Sequence, residues 1–335
     1  MCTVLRALLF ATLLAPAAAA QPPALREADR VRLAEAFHLA ETVRDSIWAG
    51  WGGVPFAVLL LTPEHEFLIR HPAPSEDFAL VGYDSLLQGE VYARPTTGRY
   101  PLSFLATFPA VNGINTVVVG PPEHTGKSST LWVVTLLHEH FHQLQYTRPD
   151  HYPAVAALDL SGGDETGMWM LNYPFPYDSA RVVAAVNAYR DALVRALGPP
   201  REVGPPAALD DFLAARAALR QALSDPDFRY LSFQLWQEGV ARYTEHRVAE
   251  AAAAHHRPLP AFRALDDFVP YTAAADSLRR LLDDELANLD LASWRRVVFY
   301  PLGAAEALLL DRARPGWQRR YFADRFYLDR YFERP

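Results

Sequence analysis

The chain has 335 residues, half of them hydrophobic, which is enough for one large domain or two close lobes. Its formal charge is −7, and 31 basic residues stand against 39 acidic ones (−8) once residues 1–20 are set aside, which argues against a nucleic-acid partner. The single cysteine, Cys2, leaves the rest of the chain without a thiol, disulfide or cysteine metal ligand, and no later apolar run approaches the roughly 20 residues of a membrane span.

Residues 1–20 read as a cleavable signal peptide. Arg6 supplies the charged start, Ala7 to Leu14 a short apolar core, and Ala18-Ala19-Ala20 a small-residue cleavage site. Cys2 precedes the apolar core, so it is not a lipidation junction. The expectation is a secreted or periplasmic protein. Lys127 is the sole lysine, and the arginine bias suits a GC-rich bacterial genome.

Residues 25–48 carry helical periodicity through Val31, Leu33, Ala34, Phe37, Ala40, Val43 and Ile47, ended by Gly50-Trp51-Gly52-Gly53. Strand-like runs follow at 55–61, 66–70, 90–94, 102–108 and 116–119, separated by Pro, Gly and Asp. Residues 50–120 therefore read as a small, largely antiparallel sheet. Within it, Val111 to Thr116 reads as an Asn-Gly hairpin turn, a role compatible with lining a substrate edge.

The sheet runs into Trp132 to Gln145, which contains His138-Glu139-His140-Phe141-His142. No Gly or Pro interrupts residues 128–146, and Ser128, Ser129 and Thr130 are candidate caps. Residues four apart on a helix point nearly the same way, so His138 and His142 present two imidazoles to one metal ion. Glu139 lies about 100° further round, in reach of a water molecule at that ion. This is the pattern of a zinc hydrolase: two neutral nitrogen ligands and a carboxylate base. His140 points away from this face and reads as a packing residue or a solvent-facing imidazole.

Beyond 150 the chain is mostly helical. Residues 161–167 form a Gly-rich loop, and Trp169 to Tyr177 is aromatic and proline-punctuated, either walling a cleft or packing as a loop. Helices are expected over about 178–197, 210–223, 225–254, 262–288 and 302–313. A stiff connector at 198–206 is the best candidate for a subdomain seam. The tail from Trp317 to Phe332 reads as a helix docked by its aromatic face.

Two imidazoles leave a catalytic zinc one protein ligand short. Gln145 and Arg148 stand where a metzincin extension needs Gly and His. The strongest remaining candidate is Glu238, 96 residues after His142, in Trp236-Gln237-Glu238-Gly239-Val240-Ala241. Gly239 and Ala241 would let its helix approach the first closely. Glu245 is the fallback, and Glu245 or Arg242 is also placed to orient a ligand.

His-Glu-x-x-His followed by Glu-Gly-x-Ala-x-Tyr-x-Glu resembles the gluzincin metallopeptidases, and the second motif is similar to that of aminopeptidases related to membrane alanyl aminopeptidase. The resemblance covers two motif helices. It implies His138, His142 and Glu238 as zinc ligands and Glu139 as general base. Gln237 stands where those aminopeptidases have Asn, the gap to the third ligand is longer, and their Gly-x-Met-x-Asn strand is absent. The resemblance thus implies a gluzincin site without aminopeptidase specificity. Gluzincins often supply a Tyr or His from a later helix to the developing oxyanion, a role that falls here to Tyr300, with Tyr243 as second choice.

The expected fold is α+β and zincin-like: an α/β lobe over 21–148 ending in the zinc-binding helix, then a helical lobe over 149–335 carrying the third ligand. The expected function is zinc-dependent hydrolysis of peptide or protein substrates. The alternatives are a non-catalytic zincin-like envelope protein that keeps its zinc, and a zinc hydrolase of a non-peptide amide or cell-wall crosslink.

Overall fold

Alternation of side chains builds the sheet first. In the computed structural model, which describes residues 23–198 and 206–333, six strands pair in the order β3-β4-β2-β1-β6-β5. They are β1 (Val58–Leu61), β2 (His65–Ile69), β3 (Ala79–Asp84), β4 (Gly89–Pro95), β5 (Leu105–Val111) and β6 (Ile114–Val119). All neighbours are antiparallel except β1 and β6. Val58, Leu60, Phe67, Ile69, Val117 and Val119 face the helices, while Leu59, Leu61, Leu68 and Val118 form a smaller cluster on the opposite face. The period of two thus gives both faces of the central strands an apolar partner. Asn112 and Gly113, both at positive φ (47° and 71°), make the two-residue turn between β5 and β6, as Asn-Gly favours.

Helix α1 (Glu27–Ile47) precedes the sheet. After it come α2 (Pro122–Thr125), α3 (Ser129–Tyr146), α4 (His151–Ala156), α5 (Trp169–Asn172), α6 (Ala180–Leu197) and α7 (Pro206–Ala222). Then follow α8 (Asp225–Gln234), α9 (Val240–His255), α10 (Pro260–Arg263), α11 (Tyr271–Ala287), α12 (Leu291–Trp294) and α13 (Phe299–Ala313). The architecture is α+β, with the helices mostly in the C-terminal part. No helix of the described residues is long and apolar enough to cross a membrane. The signal-peptide reading of 1–20 and the core of the connector, 199–205, lie outside the described residues.

Helix α3 is the pivot. It packs on β5 and β6 on one side and on α1 and α9 on the other. Its start is satisfied twice: the Ser128 hydroxyl accepts from the Leu131 amide at 3.4 Å, and Asp267 accepts from the Ser129 amide (2.8 Å) and hydroxyl (2.7 Å). Gln143 donates to the Ala57 and Asn115 carbonyls, fastening the helix to the sheet. Trp132 is fully buried with its indole N–H on the Gly120 carbonyl at 2.9 Å. Trp48 ties α1 to α9 through Thr244 at 2.9 Å.

Several expectations are corrected. Strand β3 lies outside the expected runs, because Leu80, Val81 and Tyr83 are exposed on a bulged edge and show no clean alternation. The helix expected over 262–288 is broken, since Asp267 leaves the helical path to cap α3 and Thr130 holds Val269 through both its amide and its carbonyl. The segment 225–254 carries one wide π turn at Leu235–Gly239 between α8 and α9. The tail is not a helix but two short 3-10 turns, Trp317–Arg320 and Leu328–Tyr331, with Phe326 at a φ of 69° between them. Its docking still holds: Trp317, Tyr321, Phe326, Leu328, Tyr331 and Phe332 are buried. The 169–177 segment packs rather than walling a cleft: it begins as the one-turn helix α5 and continues as a loop whose Phe175 and Tyr177 sit against Phe299.

Candidate metal centre

Helical geometry aligns the two imidazoles as expected. Their ring centres lie 5.0 Å apart on the buried face of α3. Glu238 meets them from the π turn, and one ligand atom from each of His138, His142 and Glu238 falls within 4.8 Å of the others. The group could hold a metal ion. A π turn widens the helix by one residue and turns side chains off the regular register, and such turns recur at functional sites. Here it delivers Glu238 to within 3.5 Å of His142 Nε2. Around a four-coordinate ion with bonds near 2.0–2.1 Å, ligand atoms lie ~3.3 Å apart, so this pair is already near liganding separation.

Outer contacts orient each imidazole. His142 Nδ1 meets Gln145 Oε1 at 2.6 Å. The Gln145 amide N–H groups are committed to the Gln237 carbonyl and the Tyr321 hydroxyl, so its oxygen turns to His142 Nδ1 and Nε2 is left facing Glu238. His138 Nδ1 faces Glu245 Oε2 at 3.5 Å. Glu245 accepts from Thr135 and Arg242, and Arg242 is shared with Glu285. Burial would raise the Glu245 carboxyl, but Arg242 and His138 hold it well below the usual carboxylate range. Glu245 is therefore the group behind His138, not the third member of the ligand set. Replacing it by Gln removes that charge and is expected to lower metal affinity about 10–100-fold, read by competition with a chelator.

The charges of the set are mutually adjusted. Burial opposes the charge on His142, but the hydrogen bond and charge of Glu238, with Glu139 adding to them, raise its pKa to about 9. Burial also opposes ionisation of Glu238, yet His142, Arg296 and His138 bring it down to about 2.

Glu139 is buried beside the ligands and its Oε2 accepts from the Thr107 hydroxyl at 2.8 Å. Thr107 belongs to β5, whose outer side is the free edge of the sheet. Tyr300 stacks over His138 with ring centres 6.3 Å apart, and its hydroxyl accepts from Arg296 Nη1 at 3.1 Å. Burial and Glu238 raise its phenol well above the usual range, so the hydroxyl keeps its proton at neutral pH. Tyr243 is committed elsewhere, to Asp311 and Gln318. His140 is fully buried, stacked on Phe56 at 4.0 Å and bonded to Gln143, and burial pushes it down to about 3, so it packs as a neutral ring.

One packing expectation is revised. Gly239 does bring its helix close to another, but that helix is α13: a Cβ on Gly239 would lie 2.4 Å from Gly303 Cα. The glycine pair thus seats Tyr300, one turn before Gly303, against Glu238.

Four participants were not singled out from sequence. Tyr146 lies four residues after His142, stacks on it at 6.2 Å and accepts from Gln237; its i+4 position was a usable signal. Tyr152 stacks on Tyr146 and bonds Asn115 at the start of β6. Thr107 and Arg296 reach the site through tertiary approach alone. Comparison with protein-family profiles, curated proteins and solved structures finds no match to this chain.

Proposed function

We propose that this protein is an exported, zinc-dependent peptidase of gluzincin type. The observation that carries the reading is the pairing of a ligand set of three, among the described residues, with a base: His138, His142 and Glu238 converge, and Glu139 stands beside them held by Thr107. Structural zinc sites are closed by four protein ligands and need no base, whereas three ligands leave a coordination position for chemistry. Two imidazoles and one carboxylate suit zinc among the available divalent ions. The leader-like residues 1–20 support export.

Zinc in this group would polarise a substrate carbonyl and make water a nucleophile near neutral pH. The chain's own residues supply the rest. Glu139 removes a proton from the attacking water and passes it to the leaving amine. Thr107 fixes the carboxylate toward the sheet edge, where an extended substrate adds to β5 by main-chain hydrogen bonds. Tyr300 donates its phenol hydrogen to the carbonyl oxygen as negative charge builds there.

The test is metal content of residues 21–335 beside His142→Ala and Glu238→Ala, with cleavage of a peptide pool measured on each. One zinc per chain in the parent, lost in both variants together with cleavage, is the expected result. A parent that takes up no zinc would overturn the reading.

A further inference from the structure

Two adjacent arginines precede α13, and they diverge. Arg295 sits at a φ of 49°, a left-handed conformation that is uncommon for a residue with a side chain. It lies outward over the Tyr177 ring and beside Asp178, with more than half its side chain exposed. Arg296 turns the other way. Its side chain is 22% exposed, and Nη1 lies 3.1 Å from the Tyr300 hydroxyl and 3.6 Å from Glu238 Oε1.

Arg296 is short of counter-charge. Arg32, Arg94, Arg216 and Arg242 each sit between two or more carboxylates, and Arg70, Arg190 and Arg325 each meet one carboxylate and one backbone carbonyl. Arg296 meets only Glu238, a member of the ligand group whose charge belongs to the metal once an ion is bound. Among the described residues nothing accepts from its Nε or Nη2, and neither atom is sealed from solvent. That edge of a guanidinium is a flat, two-donor fork matched to a carboxylate. The remaining nitrogen of the same guanidinium, Nη1, lies 3.6 Å from Glu238 Oε1, which places the fork next to the ligand group.

We infer that Arg296 is a specificity residue that binds a substrate carboxylate next to the scissile amide. The inference rests on the peptidase reading for the bond that is cut, but not for the carboxylate site itself. The carboxylate comes from the C-terminus of a peptide, in which case the protein removes C-terminal residues, or from an Asp or Glu side chain flanking the cut.

The experiment uses N-acetylated pentapeptides of matched sequence as free acids and as C-terminal amides, each with and without one Glu. Cleavage by the zinc-loaded protein and equilibrium binding to the metal-free protein are both measured. A preference of about 10- to 100-fold for the carboxylate-bearing peptides is expected, mostly in KM, because a charged hydrogen-bonded pair is gained. It should vanish in Arg296→Gln, shrink in Arg296→Lys, and persist in Arg295→Gln. Preference for the free acids assigns the C-terminus, and preference for internal Glu in the amides assigns the side chain; either supports the inference. Equal use of all four sets, or a preference that survives Arg296→Gln, overturns it. Carboxylate-selective binding that depends on Arg296, without cleavage of any peptide, would support this site while sinking the peptidase reading. No selective binding and no cleavage would sink both.

Discussion

Glu139→Gln is expected to retain one zinc ion per chain and to lower peptide cleavage by about 10²–10⁴-fold, the range for losing a positioned general base. The reasoning starts from geometry. Glu139 is not in the ligand group, so the donor atoms of His138, His142 and Glu238 are untouched. The amide oxygen of Gln still accepts from the Thr107 hydroxyl, so the side chain keeps its place. What is lost is an acceptor basic enough to take a proton from water. Metal analysis and kcat together decide the matter. A variant that keeps both its zinc and its turnover removes Glu139 from the chemistry, and an inactive parent with a full zinc complement points to the non-catalytic envelope protein instead.

A second large effect is expected far from any titratable atom. Gly303→Ala adds a Cβ 2.6 Å from both the Gly239 Cα and the Leu235 carbonyl oxygen. Backbone lies on both contacts, so no side chain can swing aside, and α13 and the π turn must separate. Overpacking of this kind costs about 1–3 kcal/mol, occasionally more. At ~2–4 °C per kcal/mol, the value for domains of 150–250 residues, thermal unfolding should fall by about 2–12 °C. The same displacement moves Tyr300 from Glu238, so cleavage should drop further than stability accounts for at a temperature where the variant is folded. Gly53→Ala is the control, because nothing lies within 4 Å of its added Cβ. An unchanged melting temperature in Gly303→Ala would show that the two helices are not locked by their glycines.

The legible parts of the molecule are those governed by local periodicity. The spacing of His138 and His142, the Ser128 cap and the Asn112-Gly113 turn all follow from rules that act within a few residues. The central strands were legible as short apolar runs bounded by Pro, Gly and Asp. What escaped depends on distant partners. Asp267 leaves a helix because it caps another, 138 residues away in sequence. The tail aromatics are buried without a helix, since Trp236 stacks on Tyr321 at 4.4 Å and Phe326 packs edge-on to Trp236. Thr107 and Arg296 carry no motif, and only the meeting of β5 with α3 and of α13 with the π turn gives them a place.

The wide turn at Leu235–Gly239 makes this part of the chain sensitive to length rather than to composition. One residue fewer there would restore an ordinary helix, and everything after it would rotate by about 100° and shift by ~1.5 Å relative to everything before it. Helix α9 packs against α1, α3, α11 and α13, so the whole bundle would lose its alignment together with Glu238. A single-codon deletion in this segment is therefore a more drastic event than most substitutions in it. A scan of deletions across 225–255 would mark the turn by a sharp minimum in folded yield.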